Sequence, residues 1–375
     1  MCNFININTL FSFDPQLSGH KNLQQMKRFL IVLIISVWTY VGQSQNLPRI
    51  IILATGGTIA GQGTNVDRAG YIPGKLSVED LLSSIPSINR KAVVKGEQIA
   101  SVGSYDMTIE IWMKLAKRIN EIFSNNEADG IVVTHGTDTQ EETAYFLNLT
   151  VKSDKPVVLT GAMRPASAIS ADGPKNLYDA ILVASDPLSK GRGIIVSFNE
   201  TLYDGKNVVK MNTTHVNAFD SPNTGPIGQV YDGKVRYYSQ PLQKENVDPH
   251  FDISRLDSLP KVEIVYLYVD ASIVAINAFI NDKTGGLIIA GVGNGSINMN
   301  ILQAVETAVK KGIFIVRASR VPSGRVTQFN QVFDDEKLGT IAADDLNPQK
   351  ARILLMLALT ITKDKNKIQE MFLNY

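Results

Sequence analysis

One stretch of the chain constrains the fold more than any other: an apolar run that stops at two glycines, residues 50–61 (IIILATGGTIAG). Its β-branched start is typical of a strand that is buried on both faces, as in a parallel sheet. Gly56 and Gly57 permit a tight turn and a close approach of a ligand to the main chain. Thr58 follows at the carboxyl end of the predicted strand, where open α/β sheets bind ligands. Because the glycines do not follow the G-x-G-x-x-G spacing, they do not predict a dinucleotide site.

A second stretch has the same design. Residues 130–133 (GIVV) predict a buried strand, which runs into the sequence THGTDT with Thr137 and Asp138. Further strand-like runs begin at Ile194, Leu287 and other positions, and they alternate with helical segments such as residues 108–124. This alternation predicts an α/β fold. We expect a larger N-terminal domain with a doubly wound, mainly parallel sheet, and a smaller C-terminal α/β domain.

Local signals mark element ends and domain boundaries. Ser77 and Asp80 have the spacing of a capping box at a helix start, and Asn347 followed by Pro348 predicts a capped final helix. The glycine-rich residues 62–75 predict a long loop of the kind that usually has a function. The polar, proline-containing residues 240–260 predict a linker. The expected domains are therefore 47–239 and 261–375.

The first 44 residues predict an export signal. Met26, Lys27 and Arg28 precede an apolar run, residues 29–41, that is shorter than the ~20 residues of a spanning helix. Small residues follow, and cleavage is expected after Ser44. Residues 1–25 do not show this signal-peptide pattern, so Met26 is the expected start of translation. The mature protein is predicted to be periplasmic or secreted, without a membrane anchor.

Composition excludes several classes of partner. Among 375 residues, 37 Lys and Arg balance 36 Asp and Glu, so no charge excess indicates nucleic acid or a membrane surface. The single cysteine, Cys2, lies upstream of the predicted cleavage site. The mature chain is therefore predicted to have no disulfide and no cysteine-ligated metal, and the four histidines of the full sequence show no zinc spacing. No cofactor is expected.

The residues themselves leave the chemistry open. Thr137, Asp138 and Lys210 offer a hydroxyl, a carboxylate and an amine, but Lys210 alone in its stretch VVKMNTT is typical of a surface lysine. A threonine hydroxyl needs a neighbouring base before it can attack an amide. No G-x-S-x-G motif indicates a serine nucleophile instead. His135 is more typical of a residue that shapes the turn than of a general base.

Taken together, TGGTIAG and HGTDT resemble the bacterial L-asparaginase family, specifically its exported, tetrameric type. The resemblance extends from about Leu47 to Tyr375 through KGEQ, GAMRP, SADGP, NLY, GVGNG, SRVP and LNPQKAR. It implies a homotetramer, a dimer of dimers, in which each site is completed by the neighbouring subunit.

The resemblance also implies roles for individual residues. Thr58 corresponds to the primary nucleophile, which forms a β-aspartyl ester, and Tyr71 corresponds to the tyrosine of a mobile lid. Thr137, Asp138 and Lys210 correspond to a second catalytic cluster. The implied substrate-binding residues, some of which are also catalytic, are Gly57, Ser104, Tyr105, Thr137, Asp138, Ser296 and Gln331. The oxyanion is expected to be stabilised by N–H groups of the glycine turns.

Three of these positions matter for specificity. Tyr105 replaces the usual glutamine or glutamate after the serine. Gln331 replaces a glutamate that reaches the substrate ammonium from the neighbouring subunit, which removes a charge-assisted contact. Ser296 occupies a position that is asparagine or serine in the family.

The expected function is hydrolysis of L-asparagine to L-aspartate and ammonia. The nearest alternative is a broad-specificity glutaminase-asparaginase, because one methylene gives only ~1–3 kcal/mol of discrimination. A periplasmic amino-acid binding protein is a second alternative, but it would not need two threonine turns and a lysine. A third, the amidase subunit of a transamidation complex, would not be exported.

Overall fold

Eight strands form the larger sheet of the molecule. The structure is a computed structural model that describes residues 47–63, 71–72, 77–239, 251–329 and 333–375. The predicted signal peptide, residues 240–250 of the predicted linker, and Gln331 lie outside the described residues. The strands are β1 Arg49–Gly56, β2 Gln62–Gly63, β3 Tyr71–Ile72, β4 Val93–Val102, β5 Gly130–Thr134, β6 Val157–Thr160, β7 Ile194–Phe198, β8 Thr201–Asp204, β9 Val209–Lys210, β10 Phe219–Asp220, β11 Gly228–Tyr231, β12 Lys234–Tyr237, β13 Val262–Tyr266, β14 Gly286–Gly291, β15 Phe314–Ser319 and β16 Ile341–Ala342.

The first strand lies among the parallel strands of this sheet. Strand β1 pairs in parallel with β4 on one side and β5 on the other, and β6 and β7 continue the parallel set. Strands β8, β11 and β12 then add an antiparallel edge. The mainly parallel sheet predicted from the apolar runs is confirmed, and the antiparallel edge is a feature that these runs did not predict.

Nine α-helices lie in the described part of the chain. They are α1 Val78–Ser83, α2 Ile109–Ser124, α3 Gln140–Thr150, α4 Gly173–Ser185, α5 Val274–Asn281, α6 Met299–Lys310, α7 Asp335–Leu338, α8 Pro348–Ile361 and α9 Lys365–Asn374. The predicted caps are present: Ser77 and Asp80 form a capping box at α1, and Asn347 caps α8 with proline in its first turn. Thr108 caps α2, close to the predicted start of that helix.

The two faces of the larger sheet contribute to different cores. On β1, Ile50 and Ile52 pack in a core with residues of α1 and α4. Ile51 and Leu53 point the other way, into a core with α2 and α3, because successive side chains of a strand alternate between faces. Helices therefore cover both faces, as a doubly wound sheet requires.

The smaller sheet is fully parallel, in the order β13-β14-β15-β16. Its inner face shares one core with α8 and with the α2–α3 face of the larger sheet, since buried residues of all three belong to one cluster. Phe251 and Ile253, in the second half of the predicted linker, are buried in that core.

The predicted loop of residues 62–75 contains a short pairing. Gln62 pairs with Ile72 and Gly63 with Tyr71 in an antiparallel bridge of β2 and β3. In the described part of the chain, no helix has both the length and the apolar character needed to cross a membrane.

Candidate active site

The turn after β1 places Thr58 in a buried position. Gly57 adopts φ 79° and ψ −173°, a conformation that is essentially restricted to glycine, and a short 3₁₀ helix then begins at Thr58. The side chain of Thr58 is 5% exposed. The N–H of Gly57 donates to the carbonyl of Val102 at 2.9 Å. This N–H is therefore engaged within the protein, and the stabilisation of an oxyanion by N–H groups of the glycine turns stays a prediction.

The turn after β5 lies directly against the first one. A Cβ atom placed on Gly57 would lie 2.4 Å from both Cα and N of Gly136, which is closer than any real contact. A Cβ atom on Gly136 would in turn lie 2.7 Å from Ser104 Oγ, so neither position has room for a side chain. The next residues along the chain are Thr58 and Thr137, so the close packing of the two turns brings two buried threonines to one end of the sheet.

A third turn, after β4, completes this end of the sheet. Ser104 is buried, and its Oγ accepts the N–H of Asp138 at 3.1 Å and donates to Asp138 Oδ2 at 3.2 Å. The carbonyl of Ser104 accepts the hydroxyl of Thr139 at 2.8 Å. Strands β4, β1 and β5 are adjacent in the sheet, so parallel pairing alone aligns their carboxyl ends.

Lys210 joins the cluster from β9. Its Nζ donates to Thr137 Oγ1 at 2.9 Å and to Asp138 Oδ1 at 2.6 Å. The Lys210 side chain is 14% exposed, whereas that of Asp138 is 53% exposed. The structure thus brings the Lys210 ammonium to the hydroxyl and the carboxylate of two adjacent residues that lie more than seventy positions earlier in the sequence.

The charge of Asp138 is stabilised by its partners. Partial burial opposes ionisation, but the Lys210 ammonium and the Ser104 hydroxyl outweigh it and hold the pKa of this carboxyl below its usual range. Asp138 is therefore an anion at neutral pH, with a half-exposed carboxylate that can bind a cationic group.

His135 is fully buried and engaged on both nitrogens. Its Nδ1 lies 2.7 Å from the carbonyl of Gly136, so that nitrogen carries the proton, and Nε2 accepts the hydroxyl of Thr143 at 2.9 Å. Thr143 in turn accepts the indole N–H of Trp112 at 2.7 Å. Burial lowers the pKa of His135 to about 4. These contacts support the interpretation that His135 shapes the turn.

The remaining predicted residues lie apart from this cluster or outside the description. Tyr105 follows Ser104, and its side chain is 67% exposed. Ser296 lies in the smaller-sheet region, where its main chain closes a turn with Val292. The main chain of Tyr71 lies in β3, and Gln331 is not among the described residues.

Sequence reasoning missed two charged residues behind Lys210. Glu141 is 4% exposed, and its Oε2 accepts the main-chain N–H of Lys210 at 2.5 Å. Lys350 is 2% exposed, and its Nζ donates to the carbonyls of Lys206 and Val208. In the sequence, both are charged residues in the first turn of a helix, a pattern typical of solvated surface positions, so only the tertiary structure reveals them.

Comparisons with known proteins agree with this fold. The family model described as "Asparaginase, N-terminal" matches residues 49–243, and the model described as "Glutaminase/Asparaginase C-terminal domain" matches residues 261–372. The chain is 49% identical over 339 residues to "L-asparaginase 2" of Escherichia coli strain K12, covering 90% of this chain and 97% of that protein.

Other relatives carry related names. "Probable L-asparaginase periplasmic" of Haemophilus influenzae is 47% identical and covers 93% of this chain and 99% of that protein. "Glutaminase-asparaginase" of Pseudomonas fluorescens biotype A is 42% identical, covering 88% and 91%. A crystal structure titled "Probable Cytoplasmic L-asparaginase" from Campylobacter jejuni matches with a TM-score of 0.84 and 48% identity, covering 88% of this chain and all of that one.

The fold and these matches define an amidohydrolase. The chain belongs to the asparaginase/glutaminase family.

Proposed function

We propose that the protein is an exported L-asparaginase that hydrolyses L-asparagine to L-aspartate and ammonia through a threonine nucleophile. The observation that carries this proposal is the contact between the two glycine turns, because Thr58 directly follows one turn and Thr137, which bonds Lys210, directly follows the other. The names of the most similar relatives support the substrate.

The first half of the reaction forms an ester. The Thr58 hydroxyl attacks the side-chain amide carbon of asparagine, and its proton passes to the leaving nitrogen, which departs as ammonia. The product of this step is a β-aspartyl ester on Thr58. Tyr71, from the segment that follows β2, is assigned the role of assisting Thr58.

The second half hydrolyses the ester. Thr137, hydrogen-bonded to Lys210 Nζ, orients the attacking water, and a proton of that water passes to the Thr58 oxygen as the ester bond breaks. Thr58 regains its hydroxyl proton and aspartate is released. Because one water is consumed and one ammonia is released, the two halves balance as amide hydrolysis.

The proposed substrate-binding residues are assigned from the charges of the amino-acid substrate. Asp138 carries a half-exposed carboxylate that suits the α-ammonium group. The Ser104 hydroxyl, which bonds Asp138 in this structure, is assigned to the α-carboxylate together with turn amides such as those near Gly57.

Tyr105, Ser296 and Gln331 complete the proposed specificity determinants. Ser296 and Gln331 are assigned to the site of a neighbouring subunit in a homotetramer arranged as a dimer of dimers. An isolated subunit is therefore expected to be inactive, and activity measured against dilution, beside gel filtration, tests this.

The second candidate is a glutaminase-asparaginase, which the Pseudomonas fluorescens relative favours by its name. Gln331 in place of a glutamate weakens the expected grip on the α-ammonium group for either substrate, so it does not separate the two activities. The ratio of kcat/KM for L-asparagine to that for L-glutamine separates them.

The test is ammonia release by purified protein that starts at Gln45, with Thr58→Ala and Thr58→Ser as a matched pair. We expect turnover of L-asparagine by the wild type, none by Thr58→Ala, and partial activity in Thr58→Ser, which keeps a hydroxyl. No ammonia from either amide with the wild-type tetramer would refute the proposed function.

A further inference from the structure

Lys210 is held at its main chain as well as at its side chain by one short stretch of residues. Thr137 and Asp138 bind its Nζ, and Glu141, one helical turn further on in α3, accepts its N–H at 2.5 Å. Residues 137–141 thus contact both ends of the lysine. A lysine side chain has four rotatable bonds, so the position of its amine depends on how firmly its main chain is fixed.

The residues before Lys210 are held from the opposite side by α8. Lys350 Nζ donates to the carbonyl of Lys206 at 2.6 Å and to that of Val208, four and two residues before Lys210. Lys350 is 2% exposed, so these bonds are made by an almost fully buried ammonium group. The run 206–210 is therefore fixed at three main-chain atoms by two charged side chains.

The two charged side chains belong to one network. Oε1 of Glu141 accepts the Asn347 amide at 3.1 Å and the Gln349 amide at 2.9 Å, and both donors immediately precede Lys350 at the start of α8. Burial lowers the pKa of Lys350 to about 8, while the charge of Glu141 acts in the opposite direction. A buried charge is costly when its partner is removed, so this network has one favoured arrangement.

We propose that Glu141 and Lys350 are positioning residues for the reaction: they fix the main chain at Lys210 so that its amine meets Thr137 and Asp138. This inference rests on the proposed catalytic role of Lys210. It makes the start of α8, which packs with the smaller sheet, part of the apparatus that aligns the site on the larger sheet.

The expected loss of kcat follows from the distances between Lys210 Nζ and its two partners. Lys210 Nζ lies 2.9 Å from Thr137 Oγ1 and 2.6 Å from Asp138 Oδ1, so a shift of about 1 Å breaks one contact or both. A misplacement of about 1 Å in a catalytic site can reduce the rate about 100-fold. Ser104 belongs to the turn after β4 and Asp138 to the turn after β5, so β9 carries neither of these proposed substrate-binding residues, and we expect KM to be affected less than kcat.

The test is Glu141→Gln with Glu142→Gln as its matched control. Glutamine keeps the size of Glu141 but turns an amide NH₂ toward one of three N–H donors. Within the described residues, Glu142 makes no hydrogen bond to the Lys210 segment, although it neighbours Glu141 on α3. We expect kcat to fall roughly 10- to 100-fold in Glu141→Gln with KM within about threefold, and Glu142→Gln to stay within about twofold of wild type.

A double-mutant cycle distinguishes positioning from a general structural role. In a Lys210→Met background, Glu141→Gln should reduce kcat no further, since the group it aligns is gone. The inference is overturned if Glu141→Gln lowers kcat by the same factor in both backgrounds, or leaves kcat unchanged while Lys210→Met is impaired. If Lys210→Met itself is fully active, the proposed role of Lys210 fails instead.

Hydrogen exchange tests the contact between Glu141 and the Lys210 N–H independently of enzymatic activity. The peptide that carries residues 206–210 should exchange faster in Glu141→Gln than in Glu142→Gln, because the Lys210 N–H loses its acceptor. Equal exchange in the two variants counts against the inference. If Glu141→Gln does not fold, Gln349→Met removes one donor to the same carboxylate, and the same cycle applies with an expected loss of about threefold to tenfold.

Discussion

Replacing Gly57 with alanine tests whether contact between the two glycine turns governs activity. Gly191→Ala is the matched control, because Gly57 and Gly191 have nearly the same φ, 79° and 75°. A Cβ on Gly191 meets nothing within 4 Å, whereas one on Gly57 lies 2.4 Å from two main-chain atoms of Gly136. The control therefore carries the cost of a positive φ without the cost of pushing the turns apart.

The magnitudes follow from these distances. Gly191→Ala costs only the left-handed conformation, about 1–2 kcal/mol of unfolding free energy. Gly57→Ala adds a separation of about 1 Å, since ordinary contact begins at 3.4 Å. Its main chain also lies in a region that costs about 1–3 kcal/mol for other residues. Because the separation moves Thr58 away from Thr137, we expect kcat to fall about 100-fold.

Urea unfolding and ammonia release from L-asparagine measure the two effects. Gly191→Ala should lose stability and keep the wild-type kcat, while Gly57→Ala should lose more stability and most of its kcat in the folded fraction. Wild-type kcat in Gly57→Ala would refute the reasoning, and so would equal losses of kcat in the two variants.

Two further predictions concern pH. Burial lowers the pKa of His135 to about 4 from 6.5, so the unfolded state binds more protons than the folded state between these two pH values. His135 therefore reduces the free energy of unfolding as pH falls from about 6.5 to 4. At about 1.4 kcal/mol per pH unit, His135→Gln should abolish about 3 kcal/mol of this pH dependence, measured by urea unfolding. Burial, with the charge of Glu141, raises the pKa of Glu142 to about 7 from 4.5, so the folded state binds more protons in that range and Glu142 costs stability as pH rises through it. Glu142→Gln should therefore be more stable than wild type at pH 8 and equal to it near pH 4, and a loss of stability at pH 8 would contradict this.

Local signals made much of the fold predictable. Ser77, Thr108 and Asn347 cap helices as their neighbouring residues require, because a cap depends on a few adjacent residues. The β-branched runs predicted buried parallel strands, because a strand that is buried on both faces has no alternation of polar and apolar residues. The antiparallel edge of β8, β11 and β12 was not predicted, because its short half-exposed strands lack such runs.

The site residues that lie at strand ends could be predicted from the sequence, whereas those whose role depends on being buried could not. Thr58 and Thr137 follow glycine turns at the carboxyl ends of β1 and β5, so sheet topology alone brings them together. Lys210 could be assigned only through family resemblance, because its strand of two residues gives no periodic signal. Glu141 and Lys350 could not be recognised, since a buried charged residue and a solvated one have the same local sequence.

The central claim is that Thr58 carries the acyl group. Its most direct test is rapid acid quenching of the wild-type protein during turnover of L-asparagine, followed by proteolysis and mass spectrometry of the peptides. We expect an added aspartyl group on the peptide that contains Thr58, and none on that peptide in Thr58→Ala. An aspartyl group on the peptide that contains Thr137 would contradict the account and make Thr137 the nucleophile.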